Sequence, residues 1–420
     1  MKVARFILIS VLCVFTSSAI AQRYVGGDIS LLTKYEEHGA TYFDINGSPI
    51  NSPLAFFKAK GMNAMRVRLF VDPSNASTAD KGQGVCQDLP YVIALSKRIK
   101  AAGMALMLDF HYSDSWADPS KQWTPSGWSA MSDSELYTEI YNYTKDVLQQ
   151  MVAAGATPDF IQTGNEISYG MLWGPQGTTN VRSCFINNNN NWSYFTTLLK
   201  QAGKACRKVC PQAKIIIHTE RAAQSDVLKG FYDNMKTYGI DYDIIGLSYY
   251  PIFHGPLSDL NTALTMMETN YPDKNIMIVE VGYYHDWQPA DVVYDLSSTF
   301  PITPVGQKAF TDSLIEMLNT HSKVNGLFWW WMEANEKGLG WNTKRVTDNW
   351  YNAGLFDNQT GKAEPALYSM KNFLGSTNNI TSISEKSSGA QNIYTLSGAR
   401  VNSAKNSGIY VSNRKKFIVK

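Results

Sequence analysis

The sequence predicts a (β/α)8 barrel, or TIM barrel, followed by a short C-terminal β-rich tail. Eight apolar, strand-like runs occur between residues 24 and 331, and each is followed by a loop and a helical pattern. Glycines stand where helices should stop, at Gly61, Gly103 and Gly155. The repeated order of helix, glycine and apolar strand is typical of βα units, and eight such units close into a barrel.

The eight predicted strands are short and rich in residues that favour buried, pleated structure. They cover Tyr24–Ile29, Ala64–Phe70, Ala105–Phe110, Asp159–Glu166, Lys214–His218, Asp243–Tyr250, Ile276–Glu280 and Gly326–Trp331. Apolar residues at three- and four-residue spacing predict helices over Leu54–Lys60, Tyr91–Ala102 and Ser134–Ala154.

A doubly wound open sheet is the alternative architecture. Such a sheet often carries a glycine-rich phosphate turn at its switch point, and Val25-Gly-Gly-Asp28 lacks the Gly-x-Gly-x-x-Gly spacing. The barrel is therefore favoured, and in a barrel the polar residues at strand ends gather at one face.

The first 21 residues have the pattern of a secretory signal peptide. Lys2 and Arg5 precede an apolar run, Phe6–Phe15, which is too short to span a membrane, and a small-residue end precedes Gln22. We therefore expect an exported protein, periplasmic, surface-bound or secreted, without a transmembrane segment.

The expected mature chain has three parts. Residues 22–375 form the catalytic barrel, 376–390 a Ser-rich linker, and 391–420 a small β-tail, in which alternating strands are separated by turn residues. The tail resembles the C-terminal sorting or anchoring segments of exported bacterial proteins.

Charge and composition indicate a neutral polymer as the partner. Without the signal peptide the formal charge falls from +2 to 0, and residues 381–420 carry seven Lys or Arg against Glu385. The barrel is therefore acidic, which argues against nucleic acid and against a polyanionic substrate. The 11 Trp and 23 Tyr suit stacking on sugar rings. We expect a monomer.

Four cysteines follow the signal peptide, and export permits a disulfide. Cys86 and Cys184, both in predicted loops, are the pair expected first, whereas Cys206 and Cys210 share a helical face as packed thiols or a local pair. Neither Cys-x-x-Cys nor His-Glu-x-x-His occurs, so a zinc site is not indicated and no cofactor is expected.

Two of the predicted strands end in a glutamate. Asn165-Glu166 closes the fourth strand and Glu280 the seventh, so closure of the barrel would bring both to a single cleft. A retaining glycosidase needs a carboxylic acid to protonate the leaving oxygen and a carboxylate to attack the anomeric carbon, about 5 to 5.5 Å apart. We assign Glu166 as acid/base and Glu280 as nucleophile, although either glutamate alone would ordinarily be a solvated charge.

Other residues at strand ends are predicted to bind substrate or to position the glutamates. Arg68 is the candidate cation beside Glu280, and Asn165 would donate to the sugar 2-hydroxyl. Either Tyr249 or Tyr250 would hold Glu280, since the sequence does not give the strand register that decides which of them points inward. Further candidates for hydrogen bonding or stacking, each with a structural role as its alternative, are Asp109, His111, Trp116, Trp173, His218 and Trp330.

Several motifs resemble those of glycoside hydrolase family 53. They are Gly26-Gly-Asp-Ile-Ser30, Leu108-Asp-Phe-His-Tyr-Ser-Asp-Ser-Trp-Ala-Asp-Pro119, Gly164-Asn-Glu-Ile167, Ile245-Gly-Leu-Ser-Tyr-Tyr-Pro251 and Val279-Glu-Val-Gly-Tyr283. The resemblance covers residues 24 to about 375. It implies a retaining endo-β-1,4-galactanase on a (β/α)8 barrel, acting on galactan side chains of pectin, with its acid/base at Glu166 and its nucleophile at Glu280.

The eighth strand departs from the pattern of that family. Members tend to read Gly-x-Phe-Tyr-Trp-Glu-Pro-Ala-Trp, whereas Gly326-Leu-Phe-Trp-Trp-Trp-Met-Glu-Ala-Asn335 differs after Trp330. Some members bind calcium near the last two barrel loops, but no ligand set can be assigned in this sequence. Two alternative functions stay open: the same hydrolysis on mannan or glucan, and a glycan-binding barrel without catalysis.

Overall fold

The computed structural model describes residues 22–178, 182–184, 190–290, 292–340, 350 and 352–375, together with four short strands beyond residue 392. Eight parallel strands close into a barrel, which confirms the predicted (β/α)8 fold. The strands are β1 (Tyr24–Asp28), β2 (Ala64–Leu69), β3 (Ala105–Phe110), β4 (Phe160–Thr163), β5 (Lys214–Thr219), β6 (Ile244–Tyr249), β7 (Asn275–Val281) and β8 (Val324–Trp329).

The barrel closes between its first and last strands. Tyr24 of β1 pairs with Gly326 of β8, and on the other side Gly26 pairs with Ala64 of β2. A Cβ atom at Gly26 would lie 1.7 Å from the carbonyl oxygen of Ala64, so only glycine permits this close approach. The glycines of β1 therefore allow the sheet to close.

Helices connect the strands and cover the outside of the barrel. They are α1 (Leu32–Glu37), α2 (Pro53–Ala59), α3 (Thr78–Gly82), α4 (Leu89–Ala101), α5 (Asp133–Ala153), α6 (Trp192–Val209), α7 (Ser225–Thr237), α8 (Pro251–His254), α9 (Leu257–Asn270), α10 (Pro304–Leu318) and α11 (Pro365–Ser369). A two-stranded hairpin, Tyr42–Phe43 with Pro49–Ile50, lies between α1 and α2.

The three helices predicted from spacing are α2, α4 and α5, and all three are confirmed. Helix α5 begins with a capping box, in which the Ser132 hydroxyl accepts from the backbone of Glu135 and the Glu135 carboxylate accepts from that of Ser132. The glycines that follow these helices, Gly61, Gly103 and Gly155, have positive φ angles, as the predicted helix stops require.

The interior of the barrel has an apolar layer below a polar one. Ala64, Met107, Phe160 and Ile216 contribute to a buried cluster from β2 to β5, and β6, β7 and β8 complete it. Because side chains alternate along a strand, the residue two positions further on points inward again. In β2 to β5 these next inward residues are polar and fully buried: Arg66, Asp109, Gln162 and His218. The polar layer supports the carboxyl end of the barrel.

The C-terminal tail contains an antiparallel sheet of its own. Its strands are β9 (Ile393–Thr395), β10 (Arg400–Val401), β11 (Gly408–Ser412) and β12 (Lys415–Val419), in the order β10-β9-β11-β12. The signal peptide and the linker at 376–390 lie outside the described residues, and the limits of the three parts stay predictions. Among the helices described, none is long and apolar enough to cross a membrane.

All four described cysteines are free thiols, so the predicted Cys86–Cys184 disulfide is wrong. Cys86 packs beside the buried aromatic cluster that includes Tyr250 and Trp330, whereas the Cys184 sulfur lies against Gly170 in the loop after β4. The two loops follow different strands, and each cysteine packs within its own surroundings.

Candidate active site

A cleft of about 720 Å³ lies at the carboxyl end of the barrel strands. This volume is within the range of roughly 300–1,000 Å³ that is usual for ligand sites. The predicted site residues that line it are His111, Trp116, Asn165, Glu166, Tyr250, Glu280 and Trp330. Barrel closure therefore brings the two predicted catalytic glutamates to one cleft.

Glu280 is held by a cation and a phenol. Its Oε1 lies 2.9 Å from Nη2 of Arg66, and its Oε2 accepts a 2.7 Å hydrogen bond from the hydroxyl of Tyr250. The prediction that Arg68 is the cation beside Glu280 is wrong. Arg68 points inward one layer higher than Arg66, where Nη1 pairs with Asp28 at 2.8 Å and the guanidinium lies over the ring of Trp116.

Arg66 connects the side chains of the buried polar layer to Glu280. Besides Glu280, it reaches Asp28 at 3.1 Å, Asp109 at 2.7 Å and Oδ1 of Asn165 at 2.9 Å. A fully buried guanidinium is tolerated only when it is paired in this way. Burial alone would raise the pKa of Asp109, but the charge of Arg66 and the neighbouring His111 and His218 together outweigh burial and lower it. Asp109 therefore serves as a buried anion that positions Arg66.

Asn165 and His218 belong to a continuous hydrogen-bond network. The Asn165 amide donates to the carbonyl of Ala117 at 2.8 Å, and Gln162 donates to Nδ1 of His218 at 2.9 Å. His218 therefore carries its proton on Nε2, which donates to the Ser248 hydroxyl at 2.8 Å. Burial lowers the pKa of His218 well below its ordinary value, so the imidazole is neutral.

Five predicted substrate-binding residues do not line the cleft: Arg68, Asp109, Trp173, His218 and Tyr249. Arg68, Asp109 and His218 belong to the buried layers beneath it. The Trp173 indole donates to the carbonyl of Tyr169 at 2.9 Å and packs away from the cleft.

Tyr249 points outward and Tyr250 inward, because neighbouring residues of a strand face opposite sides of the sheet. The Tyr249 ring stacks on Phe310 of α10, and its hydroxyl donates to the carbonyl of Gly255. Tyr250 is thus the tyrosine that holds Glu280.

Glu166 lies just beyond β4 in a left-handed backbone conformation, with φ at +48°. Gly164, with φ at +110°, turns the chain out of the strand, so β4 ends at Thr163 and not at Glu166 as predicted. This bend presents the half-buried Glu166 side chain to the cleft. The backbone amide of Glu166 donates to Nδ1 of His218 at 3.3 Å, which fixes the bend.

The two glutamates differ in their affinity for a proton. Burial raises the pKa of Glu166 well above its ordinary value, and the negative charges of Glu280 and then Glu220 raise it further. Burial also raises the pKa of Glu280, to about 7, but Arg66 and the Tyr250 hydroxyl oppose that rise. The first proton bound by the pair therefore resides on Glu166, while Glu280 keeps the negative charge.

Glu220 is a cleft residue that the sequence reasoning missed. It follows β5, accepts a 2.6 Å hydrogen bond from the Ser168 hydroxyl, and pairs with Nε of Arg221 at 2.8 Å. The rule that singled out Glu166 and Glu280, a carboxylate at a strand end, would have found it. Other unpredicted residues in the lining are Gln83, Asp118, Lys121, Phe253, His254, Trp331 and Trp350.

One group of potential metal ligands occurs in the described part of the chain, outside the cleft. His285, Asp357 and Glu364 each offer one ligand atom, and these atoms lie within 4.8 Å of one another. These three atoms would fill only part of the six to eight oxygen positions that calcium takes, and the imidazole is a donor that transition metals prefer. No catalytic step involves this group.

Comparison with known proteins agrees with this architecture. A closed parallel barrel that collects two glutamates of unequal proton affinity at its carboxyl end has the arrangement of the (β/α)8 glycoside hydrolases. The match extends to a particular family, since the model of glycosyl hydrolase family 53 covers residues 24–370. The chain belongs to this family, and the resemblance found in the motifs is confirmed.

Relatives and solved structures are similar along most of the chain. The arabinogalactan endo-beta-1,4-galactanase A of Aspergillus niger is 34% identical over 334 residues, covering 77% of this chain and 88% of that protein. An uncharacterised Niallia circulans protein is 33% identical, with 79% and 89% covered. The Ignisphaera aggregans family 53 catalytic domain superposes with a TM-score of 0.72 at 32% identity, covering 83% of this chain and 95% of that domain. A fungal beta-1,4-galactanase structure gives a TM-score of 0.67 at 28% identity, with 84% and 99% covered.

Proposed function

We propose that the protein is a retaining endo-β-1,4-galactanase that cleaves galactan and arabinogalactan by double displacement. The observation that carries the proposal is the unequal environment of the glutamates, in which Glu280 has a cation at 2.9 Å and Glu166 has carboxylate neighbours. Membership of family 53, with relatives named arabinogalactan endo-beta-1,4-galactanase, supports galactan as the polymer.

In the first step, Glu166 protonates the glycosidic oxygen while Glu280 attacks the anomeric carbon. The bond from that carbon to the leaving oxygen breaks, and an ester forms between the sugar and Glu280. Arg66 and Tyr250 aim the attacking carboxylate, since each contacts one of its two oxygens. The leaving sugar departs with the proton from Glu166.

In the second step, Glu166 acts as a base. Esterification removes the negative charge of Glu280, which is one cause of the raised pKa of Glu166. The pKa of Glu166 therefore falls, and its carboxylate takes a proton from the water that attacks the anomeric carbon. The ester breaks, Glu280 regains its charge, and the product keeps the anomeric configuration of the substrate.

The cleft suits internal cleavage of a neutral chain. Its volume of about 720 Å³ accommodates several sugar rings, and Trp116, Trp330 and Trp350 supply aromatic surface in its lining. As part of the same proposal, the enzyme is a monomer that is exported behind a signal peptide, with the linker and β-tail serving sorting or anchoring.

The decisive experiment is product analysis with purified protein and a panel of neutral polysaccharides. Linear β-1,4-galactan should give short galacto-oligosaccharides of retained configuration, and mannan and glucan should not. The Glu280→Gln variant should bind galactan without cleaving it. Cleavage of mannan or glucan in preference to galactan would reject the substrate, and an active Glu280→Gln variant would reject the mechanism. Binding of galactan by the wild type without cleavage would instead support the non-catalytic barrel.

A further inference from the structure

A second, smaller pocket lies beside the cleft at the same end of the barrel. Its volume is about 170 Å³, and the loops that follow β2, β3 and β4 form its walls. Pockets for larger organic ligands begin at roughly 300 Å³, so this one is suited to a single sugar ring and not to a chain. Trp116 and Lys121 line both the cleft and this small pocket, here called the side pocket, so the two spaces are neighbours at these side chains.

The ammonium group of Lys121 lies between two carboxylates. Asp80, which lines the side pocket, is 3.9 Å away, and Asp118, which lines the cleft, is 3.8 Å away. The two carboxylates attract the ammonium group from both sides. Both distances exceed the length of a hydrogen bond, so the N–H groups of Lys121 can still donate to a hydroxyl of a ligand.

The lining of the side pocket combines an aromatic ring with polar groups. Trp123 is half-buried, and Trp173 packs against it edge-to-face with ring centroids 5.8 Å apart. The Oγ atom of Ser115 is buried and has no hydrogen-bond partner among the described residues. An unpaired buried hydroxyl costs about 1–3 kcal/mol, and rotation of the Ser115 side chain toward a ligand hydroxyl in the side pocket would relieve that cost. A stacking ring with hydrogen-bonding groups around it is how proteins bind sugars.

The charges of the side pocket favour a neutral ligand. Asp80 and Asp114 carry negative charge there, and Lys121 is the cation in its lining. Both oxygens of Asp114 are occupied, since Oδ2 accepts from Asn75 at 3.2 Å and from the backbone of Ser126 at 2.8 Å, and Oδ1 accepts from the backbone of Asp72 at 3.2 Å. Asp114 therefore fixes the walls, and an acidic sugar would meet net repulsion.

We propose that the side pocket is a carbohydrate subsite for one neutral sugar, carried as a branch on the polysaccharide whose backbone lies in the cleft. This inference rests on the proposed function and adds to it a binding site for the arabinosyl branches of arabinogalactan. Lys121 would contact backbone and branch at their junction, Trp123 would stack on the branch, and Ser115 would bond to one of its hydroxyls.

The test compares kcat/KM on arabinogalactan with kcat/KM on the same polymer after removal of its arabinosyl branches. The kcat/KM on arabinogalactan divided by the kcat/KM on the debranched polymer should fall at least about twofold in Trp123→Ala and in Ser115→Ala. A change of this size corresponds to the lower end of the usual stacking and hydrogen-bond energies. Ser115→Ala should fold as well as the wild type, because it removes an unpaired buried hydroxyl, so it serves as the test if Trp123→Ala is unstable. Ser120→Ala is the matched control, since Ser120 lines only the cleft and should change both values in proportion.

A binding measurement separates failure of the subsite from failure of the proposed function. The Glu280→Gln protein, alone and combined with Ser115→Ala, is titrated with linear and with arabinosylated galacto-oligosaccharides. The subsite predicts tighter binding of the branched ligand, and loss of that preference in the double variant. Equal binding of both ligands, or a ratio that Ser115→Ala leaves unchanged, overturns it. A wild type that hydrolyses neither polymer rejects the proposed function, and the binding preference then decides the subsite alone.

Discussion

The hydroxyl of Tyr250 donates a 2.7 Å hydrogen bond to Oε2 of Glu280, whereas the adjacent Tyr249 faces the outside of the barrel. Arg66 contacts the other oxygen of the same carboxylate at 2.9 Å. The carboxylate is therefore fixed at both oxygens before substrate binds. For Glu280 as the proposed nucleophile, such preorganisation lowers the reorganisation that attack on the anomeric carbon would otherwise require.

Replacement of Tyr250 by Phe should lower kcat about 10- to 100-fold, since a hydrogen bond to a charged group contributes about 1.5–3 kcal/mol. Because the Tyr250 hydroxyl lowers the pKa of Glu280, its loss should raise that pKa, so the acid limb of the pH–rate profile should move to higher pH. Tyr249→Phe is the matched control, which loses a bond to Gly255 and should leave the acid limb in place. Equal profiles for the two variants would contradict the role of Tyr250.

Replacement of Glu166 by Ala should reduce the rate on galactan by about 10²- to 10⁴-fold, the usual contribution of a general acid. An aryl galactoside with an activated leaving group needs no proton to depart, so the variant should form its glycosyl-enzyme at a rate close to that of the wild type. Burst kinetics with the aryl substrate would measure this step. An equal loss on both substrates would argue against Glu166 as the acid.

Glu220 is expected to set the basic limb of the pH–rate profile. The charged groups that raise the pKa of Glu166 are Glu280, Glu220 and Asp118, in that order. Glu220→Gln removes one of these charges and leaves Arg221 as an unpaired cation nearby, so the pKa of the protonated acid should fall and the basic limb of kcat/KM should move to lower pH. Ser168→Ala removes the hydrogen bond to Glu220 and keeps its charge, so a similar shift in this variant would contradict the electrostatic explanation.

Glu333 should make the fold less stable as pH rises. It is fully buried beside Leu31, whose backbone amide donates to Oε1 at 2.9 Å, and burial raises its pKa to about 8. The folded state therefore favours the protonated acid, and this stabilisation is present below the ordinary glutamate pKa and is lost as pH rises through about 8.

A neutral amide at position 333 should remove this pH dependence. The unfolding free energy of Glu333→Gln, relative to that of the wild type, should increase by about 3–5 kcal/mol between pH 4 and pH 9. The size follows because each tenfold difference in proton affinity between the folded and unfolded states corresponds to about 1.4 kcal/mol. Chemical denaturation at a series of pH values measures the difference. A gap between the two proteins that stays constant with pH would show that Glu333 has the same pKa in the folded and unfolded states.

The sequence predicted the barrel and its two glutamates because both depend on local pattern. Apolar runs mark the strands, and a carboxylate at the end of a strand must lie at the carboxyl face of a closed parallel sheet. The partner of Glu280 could not be predicted in this way. Arg66 and Arg68 share one face of β2, and which of them reaches β7 depends on the tilt and stagger of the strands, which no local pattern encodes.

Loop contacts were also beyond sequence reasoning. Cys86 and Cys184 both lie in loops at the expected positions, but the packing of each loop, and not its composition, decides whether two sulfurs meet. Tyr249 and Tyr250 could not be distinguished because the sequence does not show which alternate set of side chains of β6 faces the barrel interior. The side pocket likewise arises from three separate loops.

The left-handed backbone of Glu166 has an evolutionary consequence. A non-glycine residue at φ +48° is held at a cost of about 1–2 kcal/mol, and glycine or asparagine at this position would relieve that strain. Selection for thermostability alone, without selection for turnover, should therefore recover replacements at position 166 that make the barrel more stable but catalytically inactive. With Glu166 as the proposed acid/base, heat tolerance and catalysis conflict at this residue, so heat-resistant variants of the enzyme are better sought elsewhere in the chain.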